Sequence, residues 1–281
     1  MLTRVITSVV ALCVLIPVLF LSDTWVLPIA VAVFNFIANF EILRCIGSLS
    51  KRWLSFSLLS ISVVIPLLVR IIGLTGKIGS MERYYITVAC IIFAEVLYLM
   101  AIAVFSKGKI SIEEIGVSAL MSFYVTLGFT SIILLHDFFP MGKHMYLLIF
   151  VGAWITDIFA YFCGRLFGKH KLIPEVSPKK TVEGSIGGTL FSGLAFVLFG
   201  FIINKMGITS EIGYVVLFVF GIIAAVVAQI GDLCMSVLKR RYGIKDFGKL
   251  FPGHGGVLDR FDSIIAVSVA LLIMNTLIAY I

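Results

Sequence analysis

Residues 212–231 read IGYVVLFVFGIIAAVVAQIG, twenty consecutive positions without a charged side chain. A helix of about 20 apolar residues is long enough to cross the roughly 30 Å hydrocarbon core of a membrane. Similar apolar runs flank this one on both sides, near residues 5–21, 25–43, 54–73, 85–105, 115–135, 145–163, 185–203 and 263–281. The sequence therefore predicts an all-α integral membrane protein, a polytopic bundle of about nine transmembrane helices.

The composition agrees with this fold class. Hydrophobic residues make up 60% of the chain and charged residues only 13%, and the mean hydropathy is +1.14, far from the values of a soluble globular domain. The sequence contains no repeat and no long linker. We therefore expect a single transmembrane domain over residues 1–281, with N-terminal spans over about 1–144 and a C-terminal portion with the candidate catalytic residues over about 145–281.

Positive charge is distributed asymmetrically between the connecting segments. Of the 22 Lys and Arg residues, only Lys77, Arg83, Lys143 and Lys205 fall on the side opposite the N-terminus, and Arg70 falls inside a span. Because basic loops stay in the cytoplasm, the N-terminus is predicted to be cytoplasmic. The net charge of +7 then faces anionic lipid headgroups, so the basic composition does not require a nucleic acid partner.

Two long polar connections, of about 21 and about 31 residues, follow the sixth and eighth spans. Spans seven and eight form one out-and-back pair between them, so both connections are predicted on the cytoplasmic side. The second begins at Asp232, and on a continuing helix Ser236 and Lys239 share its face while Arg240 flanks it. A carboxylate, a hydroxyl and cations on one face suit the binding of metal and phosphate.

The same connection continues as KDFGKLFPGHGGVLDRFD, residues 245–262. Glycines around His254 allow backbone N–H groups to approach an anion closely. Asp259 and Asp262, at the start of the last span, either coordinate a cation or favour the helix N-terminus. Taken singly, these acids could be caps and the neighbouring cations could be membrane anchors. Their grouping favours a functional site.

The first connection follows Asp157, a charged residue inside span six whose burial would be costly, with Tyr161 one turn later on the same face. It contains SPKKTVE, residues 177–183, which could clamp phosphates or serve as an anchor with a helix cap. Gly184, Gly188 and Ser192 then recur at four-residue spacing, which predicts close helix packing. Three charged residues in or near the apolar spans could pair or line a cavity, but their spacing assigns them no role: Glu41, Arg70 and Glu95.

The polar residues of the second connection, in their order, resemble the signature of the CDP-diacylglycerol synthase family, also called phosphatidate cytidylyltransferases. The matching positions are Ser236, Lys239, Arg240, Lys245, Asp246, Gly248, His254, Gly255, Gly256, Asp259, Arg260 and Asp262. Asp157 with SPKKTVEG is similar to the family's second characteristic region. The resemblance covers residues 157–184 and 232–262, whereas the first five spans are similar only in being hydrophobic helices.

The resemblance implies that CTP and phosphatidate react to give CDP-diacylglycerol and pyrophosphate, with Mg²⁺ and, in some members, K⁺. It implies Asp232 and Asp259 as Mg²⁺ ligands, and Lys239 and Arg240 as catalytic contacts to phosphate. It also implies a homodimer in the bacterial inner membrane, with the active site facing the cytoplasm. The remaining candidates would bind substrate or shape its site: Ser236, Lys245, Asp246, His254, Gly255, Gly256, Arg260 and Asp262, followed by Asp157, Lys179 and Lys180.

Two other functions compete with this reading. An ion-coupled transporter would use Asp157 and the other intramembrane acids as an ion pathway, but it would leave the glycine-rich acidic loop unexplained, and no inverted repeat is visible. A CTP-dependent polyprenol kinase resembles this family in part of the C-terminal motif. Such a kinase would transfer the γ-phosphate and release CDP, so the identity of the product separates the two enzymes.

Overall fold

The computed structural model describes residues 2–74, 80–139, 141–207 and 213–279, and within these ranges the chain is almost entirely helical. The helices are α1 Leu2–Phe20, α2 Val26–Ile46, α3 Arg52–Leu74, α4 Ser80–Phe105, α5 Ile112–Phe138, the single turn α6 Gly142–Met145, α7 Leu147–Phe167, α8 Val182–Lys205, α9 Tyr214–Arg241 and α10 Leu258–Ala279. One antiparallel hairpin, β1 Lys171–Ile173 with β2 Ser177–Thr181, connects α7 to α8.

The predicted fold class is confirmed. In the described part of the chain, 8 helices are long and apolar enough to cross a membrane. Eight of the nine predicted spans coincide with these helices, and the first coincides with α1, which is not among the eight. Residue 212 at the start of the eighth predicted span and residues 280–281 at the end of the last lie outside the described residues.

The boundaries around the second polar connection differ from the prediction. Helix α9 continues past the predicted end of the span near residue 231 to Arg241, as the shared face of Asp232, Ser236 and Lys239 requires, and α10 begins at Leu258 rather than near residue 263. Hydropathy reports only where a helix leaves the hydrocarbon. The polar segment that follows in α9 contains Leu, Met, Lys and Arg, which are good helix formers, so the helix continues through it. Cations in the last turn, Lys239, Arg240 and Arg241, also interact favourably with its C-terminal dipole.

The hairpin in the first polar connection was not predicted. Lys171 pairs with Thr181 and Ile173 with Ser177, so SPKKT forms a strand where a loop was expected. Thr181 then begins α8 as its N-cap, because its side-chain oxygen accepts a hydrogen bond from the Gly184 N–H at 3.1 Å. The helix cap, one of the two alternatives for this segment, is therefore present at Thr181.

The chain divides into two compact units. Unit 1 contains Met1–Phe138 and Ile244–Arg260, and unit 2 contains Phe139–Gly243 and Phe261–Ile281. The prediction of one transmembrane domain stays a prediction. In unit 1, α2, α3 and α5 enclose a core of fully buried side chains that includes Ile42, Leu43, Leu54, Leu58 and Ile133.

Unit 1 also buries an ion pair. The Arg70 Nη1 of α3 lies 2.5 Å from Oδ1 of Asp137 at the end of α5, and both side chains are buried. The same guanidinium donates to the backbone carbonyls of Ser22 and Thr24. Arg70, which had no role from sequence, therefore ties the α1–α2 connection to α3 and α5.

Unit 2 is held together by close packing of α7 against α8. A Cβ atom added at Gly184 would lie 2.5 Å from the Ala160 carbonyl oxygen, and one at Gly188 would lie 2.7 Å from that of Thr156. Only glycine permits this approach of two helix backbones. Ser192, one turn after Gly188 on α8, is fully buried. The predicted close packing along Gly184, Gly188 and Ser192 is confirmed.

Candidate functional site

The signature loop, which we define as residues 244–257, is fastened by a carboxylate at the start of α10. Oδ2 of Asp259 accepts hydrogen bonds from the backbone N–H groups of Phe247, at 2.8 Å, and Gly256, at 2.9 Å. The residue is only 8% exposed. Asp259 therefore joins the beginning of the loop to its end.

A second carboxylate reaches the loop from α2. Glu41 is 4% exposed, and its Oε1 and Oε2 accept hydrogen bonds from the N–H groups of Val257 at 3.0 Å and Leu258 at 2.9 Å. The first N–H groups of a helix have no partner within the helix, so Glu41 satisfies donors at the start of α10. A negative charge there also interacts favourably with the helix dipole.

Arg44, one turn after Glu41 on α2, binds the other end of the loop. Its Nη2 donates to the Phe247 carbonyl oxygen at 2.6 Å. Sequence reasoning missed both residues, although an acid inside an apolar span was a signal at Glu41. Their loop partners lie about 200 positions away in the chain, and no local periodicity connects them.

The loop itself turns on glycines with positive φ. Gly253 has φ 79° and Gly255 φ 91°, a backbone region that side chains with a Cβ rarely adopt. Between them, His254 places Nδ1 2.7 Å from Oγ1 of Thr7 on α1. The His254 carbonyl oxygen accepts a hydrogen bond from Nε of Arg260 at 2.8 Å.

These turns surround an open cavity of about 700 Å³ in unit 1. Three cations, Lys245, Lys249 and Arg260, line it together with one acid, Asp246. A cavity with this excess of positive charge and with glycine backbone at its wall is suited to phosphate groups. The structure thus brings together the loop residues predicted for substrate binding, among them Lys245, Asp246, His254, Gly255 and Arg260.

Unit 2 contains the second group of predicted residues. Lys180 on β2 forms an ion pair with Asp232 on α9. A cavity of about 250 Å³ lies beside this pair and is lined by Asp157, Tyr161, Lys179 and Lys180, among other residues. The shared face predicted for Asp157 and Tyr161 is thereby confirmed. Because Asp157 lies at a cavity, its charge is not buried in hydrocarbon.

Asp262 belongs to the same charged group. It is 9% exposed and interacts electrostatically with Asp232, Lys239 and Asp157. Asp232, Ser236 and Lys239 all lie on the continuous helix α9, as the prediction of a shared face requires. Unit 2 therefore collects three carboxylates and the cations Lys180 and Lys239.

Among the described residues, no three His, Cys, Asp or Glu side chains form a group that could hold a metal ion by themselves. Mg²⁺ is commonly held by one or two carboxylates, with water and substrate phosphates completing its shell. The carboxylates of unit 2 fit this second type of site, because hard oxygen ligands stand beside cations that suit a phosphate. Asp232 and Asp259 belong to different units, and their joint role as Mg²⁺ ligands stays a prediction.

Comparison with known proteins identifies the family. A model of the cytidylyltransferase family matches residues 2–278. A Staphylococcus saprophyticus protein named phosphatidate cytidylyltransferase is 35% identical over 265 residues, which cover 94% of this chain and 95% of that protein. A Bacillus subtilis protein of the same name is 33% identical over 267 residues, 94% of this chain and 93% of that protein. The chain therefore belongs to the cytidylyltransferase family and is a nucleotidyltransferase.

Proposed function

We propose that this protein is a phosphatidate cytidylyltransferase, which converts CTP and phosphatidate into CDP-diacylglycerol and pyrophosphate. The observation that carries the proposal is the signature loop, whose glycine turns and cations surround one cavity at the start of a membrane-spanning helix. The names of relatives that match 94% of the chain support the same reaction. Phosphatidate supplies the phosphate that attacks, and its acyl chains remain among the apolar helices.

The reaction makes one bond and breaks one. An oxygen of the phosphatidate phosphate attacks the α-phosphorus of CTP, and the bond from that phosphorus to the bridging oxygen of the β-phosphate breaks. A phosphate monoester, with a second pKa of about 6, is already largely ionised at neutral pH, so no strong general base is required. The protein must instead bring two polyanions together in line and stabilise the charge that develops on pyrophosphate.

The cations of the two units are suited to these tasks. In unit 1, Lys245, Lys249 and Arg260 bind phosphate oxygens in the cavity of the signature loop. In unit 2, Lys239 and Arg240 contact substrate phosphates from the last turn of α9. Each cation reduces repulsion between the lipid phosphate and the nucleotide, and stabilises negative charge on the leaving group.

Asp232 in unit 2 and Asp259 in unit 1 are the proposed Mg²⁺ ligands. When bound, Mg²⁺ would neutralise phosphate charge and, as a Lewis acid, polarise phosphate oxygens. Asp262 would support this charge group, and K⁺ is the proposed second cation. Asp259 also organises the signature loop through its two backbone contacts.

We further propose that the protein acts as a homodimer in the bacterial cytoplasmic membrane, with the site on the cytoplasmic side. The chain is a multi-pass membrane protein by its helices, and its named relatives are bacterial. The excess of Lys and Arg on one side of the predicted topology supports the orientation. CTP is soluble in that compartment, and the phosphatidate headgroup lies at the adjoining interface.

Product analysis tests the proposal against the kinase. Purified protein in detergent receives Mg²⁺, phosphatidate, a polyprenol and CTP labelled either at the α-phosphate or at the γ-phosphate. A cytidylyltransferase carries the α-label into lipid and releases the γ-label as pyrophosphate. A kinase carries the γ-label into a polyprenol and releases α-labelled CDP, and this result would overturn the proposal.

Transport is tested separately, by measuring ion uptake into vesicles that contain the protein and no CTP. The proposed function predicts no uptake above that of empty vesicles.

In the transfer assay, Lys109→Ala serves as a control for the loss of a cation, because Lys109 is an exposed residue between α4 and α5, outside the cavity of the signature loop. It is expected to keep the transfer activity of the wild type.

A further inference from the structure

The carboxylate of Glu41 lies between the two ends of the signature loop. A Cβ atom added at Gly248 would be 2.0 Å from Oε1 of Glu41, and one added at Gly256 would be 2.2 Å from the same oxygen. The Gly248 Cβ would also lie only 2.8 Å from the Gly256 Cα. The two backbone segments therefore close on this one carboxylate, and both need glycine in order to do so.

Hydrogen bonds of the same region form a connected set. Glu41 accepts hydrogen bonds from the N–H groups of Val257 and Leu258. Asp259 accepts them from Phe247 and Gly256. Arg44 donates to the Phe247 carbonyl oxygen. Two carboxylates thus accept four backbone N–H groups and one guanidinium donates to a carbonyl. Buried bonds of this kind involve a charged partner and are stronger than neutral ones.

The loop depends on these contacts because it has little regular structure of its own. Between α9 and α10 the described backbone pairing is a single bridge between Phe251 and Gly255, together with local turn hydrogen bonds. The cavity cations Lys245, Lys249 and Arg260 stand on, or directly beside, this segment. Their positions are therefore set by the points at which the loop is fastened.

We propose that Glu41, assisted by Arg44, is a positioning residue for nucleotidyl transfer: from α2 it sets the conformation of the signature loop and thereby the placement of the phosphate-binding cations. The expected effect on catalysis rests on the proposed function. It gives a task in the reaction to the N-terminal half of the chain. Neither residue lines the phosphate-suited cavity, so neither is assigned a contact with substrate.

Glu41→Gln is the direct test, because the amide keeps the size of the side chain but offers one oxygen and one NH₂ group to two N–H donors. The NH₂ group cannot accept a hydrogen bond, so one N–H loses its partner. We expect kcat to fall by about 100-fold, the scale on which displaced catalytic groups act, while KM for CTP changes by less than about threefold. Glu41→Asp, which keeps the charge on a shorter side chain, should recover part of the activity.

Hydrogen exchange gives a second readout that does not require activity. In Glu41→Gln, the amides of Val257, Leu258, Phe247 and Gly256 should exchange faster, while those of α3 and α5 keep the protection of the wild type. Glu95→Gln is the matched control, since Glu95 is also a buried acid of unit 1 at 7% exposure but lies on α4. It should leave both transfer activity and exchange in the signature loop unchanged.

If Glu41→Gln keeps both the kcat and the hydrogen exchange in the signature loop of the wild type, the proposal is overturned. Faster exchange throughout α2, α3 and α5 would also overturn it, because the role would then be general stability. If the variant does not fold, Gly248→Ala presses on the same carboxylate from the loop side and must give the same local loss of protection. Should the wild type itself show no cytidylyl transfer, the proposed function fails, and the exchange experiment still decides the role of Glu41 in the loop.

Discussion

Lys180 of the first polar connection forms an ion pair with Asp232 of α9 within unit 2. The two residues come from the two separate regions on which the family resemblance rests. The pair keeps a proposed metal ligand next to a proposed phosphate-binding cation. A hairpin absent from the sequence prediction provides this contact, because β2 carries Lys180.

Replacement of Lys180 by alanine should lower kcat by about tenfold or more, since it removes a cation from the charged group around Asp232. Lys180→Arg should retain more activity than Lys180→Ala. Lys171→Ala is the matched control, because Lys171 is an exposed cation on the other strand of the hairpin. Steady-state kinetics that place Lys180→Ala within twofold of the wild type would contradict the assignment.

Gly255→Ala should reduce transfer by much more than its backbone strain explains. Gly255 has φ +91°, and an added Cβ would lie 2.7 Å from Oδ2 of Asp259, the oxygen that fastens the loop. Gly108→Ala provides the control, because Gly108 has φ +78° with nothing within 4 Å of its added Cβ. Both variants bear the cost of positive φ, about 1–2 kcal/mol, but only Gly255→Ala should lose activity. Equal activities would show that the Asp259 contact is unimportant.

Arg70→Ala should affect stability rather than chemistry. Removing one partner of a buried ion pair leaves the other buried and uncompensated, at a typical cost of about 3–5 kcal/mol, and Arg70 pairs with buried Asp137. Denaturation in detergent should show the loss, whereas the folded fraction should keep the KM for CTP of the wild type. Arg83→Ala, which removes an exposed cation of the same unit, should leave stability nearly unchanged. A similar small effect from Arg70→Ala would contradict the structural role.

Removal of divalent cations should abolish transfer and leave the fold intact. The described residues contain no three-ligand metal cage, so the proposed Mg²⁺ is held jointly by carboxylates and substrate and does not stabilise the folded chain. After chelation, helical circular dichroism and the thermal midpoint should match those of the untreated protein, and activity should return on adding Mg²⁺. Loss of helical signal on chelation would indicate a structural metal instead.

The sequence predicted those parts of the site whose functional residues lie close together in the chain, at helical spacing or in one polar segment. Asp232, Ser236 and Lys239 share a face because Ser236 and Lys239 lie four and seven residues after Asp232 on one helix. The polar residues of 245–262 are recognisable because the rest of the chain is mostly apolar. The apolar runs likewise predicted the membrane-spanning helices, but hydropathy alone does not report where α9 ends, because that helix continues beyond the apolar run as a polar segment.

Contacts between distant segments were not predictable in this way. The bonds from Glu41 and Arg44 to the signature loop join residues of the second helix to residues before the last. Nothing in the spacing of a single sequence reports such a pairing. The β-hairpin was missed for a different reason: its strands are short and polar, and one contains Pro178, a residue disfavoured in strands.

Cytidylyl transfer to phosphatidate at a site organised by Asp259 can be measured by following the α-phosphate of labelled CTP. Folded wild type and Asp259→Asn, each with Mg²⁺ and phosphatidate, are extracted into organic solvent and the label in lipid is counted. We expect label in the lipid phase for the wild type and a loss of about 100-fold or more for the variant. Label that stays entirely in water with the folded wild type would contradict cytidylyl transfer, and transfer by Asp259→Asn at the wild-type rate would contradict the role of Asp259.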